Sequence, residues 1–402
     1  MTHNCEVYLK KLCEEIKERP VGSDGNRQAN GFFQKVVEDF GWNVESTPFQ
    51  AMDWQDGGAD LQIGENFFPV FPSPYSTGCS LEATLLAAGC IKELEQIDTA
   101  GKLLLLYGDL TREQLMPKNF VFYNPEEHQR IIQLLEKKQP GAILGATSRN
   151  ASLAGGVYPF PLIEDGDFQI PSVYLTEDEG KNLLPLVGNT GTLNSRARRT
   201  PQEGVNLVAR KGKASDQRIV ISAHIDAKLN SPGAIDNATG VIVLLLLAER
   251  LADYQGDITI ELLPFNGEDY YAASGQMIYL EQNQGRFGEI LVNINIDGAG
   301  FHKGPSAVSP FNLGEGAKRI LDEVLDSMED IEEGGPWYQG DHSIFLQQDV
   351  PAIAVTSRWF LENIDSQKIT HTPKDKPAIV NCDKLVDITE AIHKFILEAY
   401  LA

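Results

Sequence analysis

The chain has 402 residues, 57 of them acidic and 34 basic, giving a formal charge of −23. A protein that lives on phosphate contacts needs a Lys/Arg footprint, and the longest charge run, Asp322 to Glu333, has the opposite sign, so no nucleic-acid partner is expected. The length exceeds what one core usually fills and predicts about two domains, while the longest apolar stretch, Val241 to Ala248, falls short of the roughly 18 residues a bilayer crossing needs.

Residues 1–20 carry charges throughout and lack an apolar h-region, so no secretory signal is expected. Val7, Leu9, Leu12 and Ile16 fall near helical spacing and predict an amphipathic helix there. Cys5, Cys13, Cys79, Cys90 and Cys382 are odd in number and form no CxxC pair. That argues against a disulfide framework or a zinc ribbon and for a reducing, cytoplasmic setting, where the sequons at Asn150 and Asn237 carry no meaning. A helix capped by Asp24 is predicted over Asn26 to Phe40, with Phe33, Val36, Val37 and Phe40 on one face and Gly41 as its stop; a strand, Asn43 to Phe49, follows.

From about residue 51 the texture changes to short strands broken by Gly, Pro and Asp, among them Leu81 to Ala88, Lys102 to Tyr107 and Ala142 to Leu144. With helices at His128 to Lys138 and Glu177 to Leu186, this predicts a smaller α+β module. After Pro201 the pattern becomes βαβ-like: strands at Arg218 to Ala223, Ile258 to Phe265, Ile290 to Ile296 and Ala352 to Val355, an apolar helix at Val241 to Leu251, and a closing helix at Leu385 to Leu401. The expected fold is α/β, a mostly parallel mixed sheet flanked by helices. Residues 1–50 lack a core of their own and are expected to pack on the second half. The domains are then 1–50 with 203–402, and an insert, 51–202. Between Leu321 and Ile331, Leu325, Met328 and Ile331 are helically spaced, so the acidic run reads as the wet face of a helix.

Ligands for a catalytic metal belong at strand ends, where rigid backbone aims side chains into the crevice beyond the sheet. His224 and Asp226 leave the first of these strands two residues apart, on one face if the pleat persists; His224 is a candidate ligand and Asp226 is placed to hold its ring. Asp236 lies in the turn Gly233 to Gly240 that opens the apolar helix. Glu268 and Asp269 follow the strand ending at Phe265, one able to ligate and the other to act as a general base. Asp297 ends another apolar strand, where an uncompensated charge is costly, and His371 stands in a late loop. Each of these has an ordinary structural explanation singly. Jointly, the order His, Asp, Glu-Asp, Asp, His at successive strand ends is hard to obtain by chance.

These residues resemble the co-catalytic dizinc aminopeptidases and their relatives, the glutamate carboxypeptidases and glutaminyl cyclases. The matching segments are AHID (223–226), GAIDNATG (233–240), GED (267–269) with SG (274–275), INID (294–297), GDHSIF (340–345) and ITHTPKD (369–375), with RPVGSDGN (19–26) similar to the family's opening. Within the insert, GKLLLLYGD (101–109), GAILGAT (141–147) and IPSVYLTEDEG (170–180) resemble a protease-associated domain. The resemblance implies a zinc-exopeptidase-like fold in which Asp236 bridges two Zn²⁺ ions. His224 and Asp297 would complete one site, Asp269 and His371 the other, with Glu268 as general base and a cis Asp236-Asn237 peptide. Asp236, Asp269, Asp297 and one hydroxide would cancel the four positive charges of two zinc ions, which lets the centre be buried; Mn²⁺ or Co²⁺ could occupy the same donors. In the implied mechanism Glu268 takes a proton from a metal-activated water and returns it to the leaving amine.

One departure from the family stands out. Asp269 occupies a position where Glu is usual, so a backbone shift must offset the shorter arm or that site's occupancy falls. Asp341 and His342 match a downstream pair and read as loop-fixing groups. Tyr338 could hydrogen-bond an oxyanion, and Arg358 could clamp a substrate carboxylate, a surface ion pair being its commoner fate. His3, His128, His302 and His393 lack ligand-like spacing. The implied activity is a metal-dependent hydrolase, an aminopeptidase acting on peptides or small amides. Alternatives are a carboxypeptidase or other amide hydrolase of the family, a single-zinc glutaminyl cyclase, and a binding protein that has lost catalysis. Against the last, all five ligand positions and the base carry competent side chains. The sequence leaves room for a homo-oligomer.

Overall fold

The computed structural model describes residues 1–148, 158–364 and 366–401; the sequon at Asn150 lies outside them. The chain splits into two compact units, one of Met1–Ala51, Glu203–Ile364 and Ile369–Ala402, the other of Met52–Gln202 with Asp365–Lys368.

The first unit is organised by an eight-stranded mixed sheet ordered 43–55, 198–211, 259–265, 218–224, 290–296, 352–357, 306–311, 331–333. Its four central strands, Thr259–Phe265, Arg218–His224, Ile290–Ile296 and Ala352–Ser357, run parallel. Antiparallel neighbours flank them on both sides. Parallel strands are covered on both faces and so read as continuous apolar runs. Ile219, Val220 and Ile221, and Leu262 and Leu263, are fully buried accordingly. The helix Thr239–Arg250 is buried from Thr239 to Ala248. It is apolar all round because the sheet covers one side while the helices Thr2–Lys10, Asp24–Asp39 and Cys382–Tyr400 pack around the rest. Trp42 adds a hydrogen bond from Nε1 to the Ala248 carbonyl, 3.0 Å.

Several local expectations are corrected. The helix Asp24–Asp39 is capped by Ser23, whose hydroxyl accepts from Asn26 N–H at 3.1 Å, and not by Asp24. The helix expected to reach Ile331 spans Glu315–Asp326, and Ile331 instead begins a short strand. Cys5 and Cys382 form a disulfide across a sequence separation of 377 residues, leaving Cys13, Cys79 and Cys90 free. Pairing depends on proximity in the fold, which neither an odd count nor the lack of a CxxC motif reports, so the cysteine argument for a reducing compartment falls.

The second unit has its own sheet, ordered 66–68, 59–63, 190–195, 79–88, 103–106, 142–147, 172–176, 71–72. The strands Cys79–Ala88, Leu103–Leu106, Ala142–Thr147 and Ser172–Thr176 are parallel. Along Leu103–Leu106 alternate residues enter opposite cores, Leu103 and Leu105 into one and Leu104 and Leu106 into the other, as a period of two requires. The helices Glu126–Lys138 and Glu177–Leu183 belong to this unit. Among the described residues no helix is long and apolar enough to cross a membrane.

Candidate metal centre

His224 is the last residue of its strand, and the Ile225 N–H donates to the Phe265 carbonyl at 2.8 Å, which holds two neighbouring strand ends together just past the sheet. Asp226 follows, fully buried. Its carboxylate accepts from the backbone N–H groups of Gly267 (2.9 Å), Glu268 (3.2 Å) and Asp269 (3.0 Å). His224 Nδ1 lies 3.2 Å from the Asp226 carbonyl oxygen and 3.6 Å from its carboxylate. Asp226 therefore does more than orient a ring. It gathers the turn that presents Glu268 and Asp269.

Asp236 sits in an irregular turn between strand and helix with φ −120° and ψ 81°, and the Asp236–Asn237 peptide is cis, as the family resemblance implies. Asn237 is fully buried, donating to the Ile296 carbonyl at 2.8 Å and accepting from Gly240 N–H at 3.0 Å. Its sequon is therefore sealed in the fold. One Asp236 oxygen lies 3.1 Å from His224 Nε2 and the other 3.1 Å from His371 Nε2, so a single carboxylate faces two imidazoles. Asp297 Oδ1 is 3.7 Å from His224 Nε2, and Asp269 Oδ1 is 3.0 Å from His371 Nε2. Despite its shorter arm, the Asp269 carboxylate reaches His371.

Donor atoms of His224, Asp236 and Asp297 lie within 4.8 Å of one another, and so do those of Asp236, Asp269 and His371; Glu268 falls within the same distance of His224 and Asp269. Without a cation the group is electrostatically frustrated. Burial favours the neutral form of both histidines, yet the carboxylates around them hold both imidazoles protonated well above the usual range. Burial, reinforced by Asp269, Asp297 and Asp341, raises the Glu268 carboxyl well above its ordinary value, with His224 opposing. Burial raises Asp297 as well. Among the described residues, Asp269 Oδ2 is buried with no hydrogen-bond partner, and so is His224 Nε2, which lies 3.1 Å from Asp236 Oδ1 without the alignment of a hydrogen bond. Buried polar atoms are rarely left so, and a cation among these oxygens and nitrogens would satisfy both. Mixed imidazole and carboxylate donors suit zinc, with manganese and cobalt as substitutes.

The other candidates lie as follows. Asp341 is buried and accepts from Gln276 Nε2 at 2.8 Å; burial pushes its carboxyl up to about 7. His342 is buried against Phe311 and Trp337, with Nε2 2.8 Å from the Trp337 carbonyl, and burial lowers its imidazole to about 4. Tyr338 is 63% exposed, its ring against Phe311. Arg358 pairs with Glu332 and, at 2.9 Å, with Glu362; it is not brought to the metal-type cluster. Two further residues border the cluster without any signal in the sequence. Lys228 donates to the Asp269 carbonyl at 2.8 Å, with its ammonium 3.8 Å from Asp269 Oδ1. Gln276 holds Asp341 as described, and as a polar residue on a short helix it gives no periodic signal.

Residues 206–396 match the family model described as Peptidase family M28, and the motif resemblance stands on that match. A segment of 145 residues is 24% identical to aminopeptidase YwaD of Bacillus subtilis (strain 168), covering 36% of this chain and 32% of that relative's length. Among solved structures, an aminopeptidase from Aneurinibacillus sp. strain AM-1 superposes with a TM-score of 0.74 at 18% identity, over 99% of this chain and 94% of that one. BSAP, a zinc aminopeptidase from Bacillus subtilis, gives 0.73 at 17%, over 99% and 94%. A glutaminyl cyclase from Fimbriiglobus ruber gives 0.51 at 11%, over 98% and 94%. These structural likenesses establish a shared fold.

Proposed function

We propose that the chain is a dizinc metallo-aminopeptidase that releases N-terminal residues from peptides. The observation that carries this reading is that two complete donor sets, His224 with Asp297 and His371 with Asp269, share the single carboxylate of Asp236, with Glu268 beside them. The family match over 206–396 and the aminopeptidase relative support the same chemistry. The second donor set favours a two-metal peptidase over a single-metal cyclase. The boundaries at Ala51/Met52 and Gln202/Glu203 support residues 1–50 and 203–402 as the peptidase, with 51–202 as an inserted protease-associated-like module.

When bound, two zinc ions would lower the pKa of a bound water and polarise the scissile carbonyl. His224, Asp236, Asp269, Asp297 and His371 would hold them. Glu268 is the proton carrier: its carboxylate accepts the proton of the attacking water and delivers it to the amine as the C–N bond breaks. Glu268 beside a cation held by these donors would have its carboxylate form favoured against the burial that otherwise raises its pKa. Asp226 holds the Glu268 backbone in place through its hydrogen bonds to three successive N–H groups.

The test is a panel of aminoacyl, N-blocked and N-terminal Gln peptides with zinc-loaded protein. Release of the first residue from free N-termini only is expected. Cleavage of N-blocked peptides from the C-terminus, or cyclisation of the Gln peptide, would overturn the assignment.

A further inference from the structure

The bridging carboxylate must offer one oxygen to each histidine, so its backbone needs to be fixed from outside the donor set. Two fully buried side chains, both 0% exposed, meet that need. The Arg19 guanidinium donates four hydrogen bonds, all to backbone carbonyls: Nε to Ile225 (2.9 Å), Nη1 to Leu12 and Pro232 (2.8 Å each) and Nη2 to Gly233 (2.8 Å). Three of these four acceptors lie in the segment joining His224 to Asp236. The guanidinium thus grips both ends of the loop between two donors. Gly233 is required by the same contact, because it has φ +59° and a Cβ there would come within 2.8 Å of Arg19 Nη2 and 2.6 Å of the Asp236 carbonyl.

Asp375 grips the loop from the other side. Its Oδ1 accepts from Ile235 N–H at 2.7 Å and its Oδ2 from Asp236 N–H at 3.0 Å, while its own carbonyl accepts from Ala234 N–H at 3.4 Å. Asp375 stands four residues after His371 in one loop. One carboxylate therefore ties the backbone of the bridging residue to the loop that carries a donor of the second set. Neither Arg19 nor Asp375 belongs to either donor set.

We propose that Arg19 and Asp375 are positioning residues for the metal centre: together they fix the Asp236 loop so that its two oxygens address His224 and His371 at once. The inference rests on the dizinc reading above. Groups that orient ligands from behind are worth roughly 10–100-fold in metal affinity, whereas a purely structural brace would lower thermal stability and leave the affinity of the folded protein alone.

The experiment compares the full-length parent with Asp375→Asn and Arg19→Lys. Asparagine keeps the shape but offers one acceptor to two N–H groups; lysine keeps the charge but cannot span four carbonyls. Zinc affinity is measured by competition with a chromophoric chelator, the visible spectrum of the Co²⁺-loaded protein is recorded, and folding of each metal-free variant is checked by circular dichroism. Zinc binding weakened at least about 10-fold and an altered Co²⁺ spectrum in a folded variant are expected. If Asp375→Asn does not fold, Arg19→Lys decides alone. Parent-like affinity and spectrum in the folded variants would overturn the positioning role while leaving the metal centre intact, and a parent that binds no zinc would overturn both.

Discussion

The same dipeptide, Glu-Asp, follows a buried parallel strand in each unit, as Glu268-Asp269 after Thr259–Phe265 and as Glu177-Asp178 after Ser172–Thr176. Their fates are opposite. After Ser172–Thr176 the chain enters a helix at once: the Thr176 hydroxyl accepts from Glu179 N–H at 3.3 Å, and both acids lie in the first turn, Glu177 half-buried and Asp178 exposed, within 3.0 and 3.7 Å of Lys181. There they complement the helix dipole. After Phe265 the chain turns at Gly267 with φ +144°, where a Cβ would meet the backbone of Ser274 at 2.9 Å, and the N–H groups of Gly267, Glu268 and Asp269 are taken by Asp226. Glu268 and Asp269 are thereby directed at two histidines. The acids do not make the site; the buried acceptor that gathers their backbone does.

The two glutamates should differ most when each is neutralised in turn. Glu268→Gln should lower kcat by roughly 10³-fold with zinc retained, while Glu177→Gln leaves peptidase activity and zinc content unchanged; steady-state kinetics and metal analysis check both. Next comes pH, through the buried His342. Burial lowers its folded pKa to about 4 from 6.5, so the unfolded chain binds the extra proton between those values. Stability from this group is complete above about pH 6.5 and is lost as pH falls through about 4, a total of about 3 kcal/mol. The stability difference between the parent and His342→Gln in denaturant melts should change by about that amount across pH 4–7, and parallel curves would remove the assignment.

Asp226→Asn, with one acceptor for three N–H groups, should weaken zinc binding by about 10–100-fold in a chelator titration. Thr176→Ala should cost about 1 kcal/mol of stability through the lost cap, seen as a shifted denaturation midpoint, with kcat/KM unchanged.

The metal-type residues were legible because charge at the end of an apolar strand is a contradiction that a sequence displays. His224, Glu268 and Asp297 each interrupt such a run, and the strand Ile290–Ile296 was read to the residue. The roles of the supporting residues are not legible for equally physical reasons, although Arg19 and Asp375 each lie in a segment that resembles the family. Arg19 sits in a polar segment and is buried only because backbone carbonyls converge on it from several turns. The strand Ser306–Phe311 contains Pro310, which lacks a donor and argues against a strand. The helix Ser274–Gln282 buries Gly275, Gln276 and Tyr279 and so shows no apolar stripe. Cys5 and Cys382 meet only because the first helix packs on the last.

A calorimetric zinc titration of the metal-free protein and of Asp236→Ala decides whether one carboxylate serves two metals. Two equivalents bound by the parent and loss of both on removal of the shared carboxylate are expected. A parent that takes up no zinc, or an Asp236→Ala variant that binds two equivalents as the parent does, would contradict that arrangement.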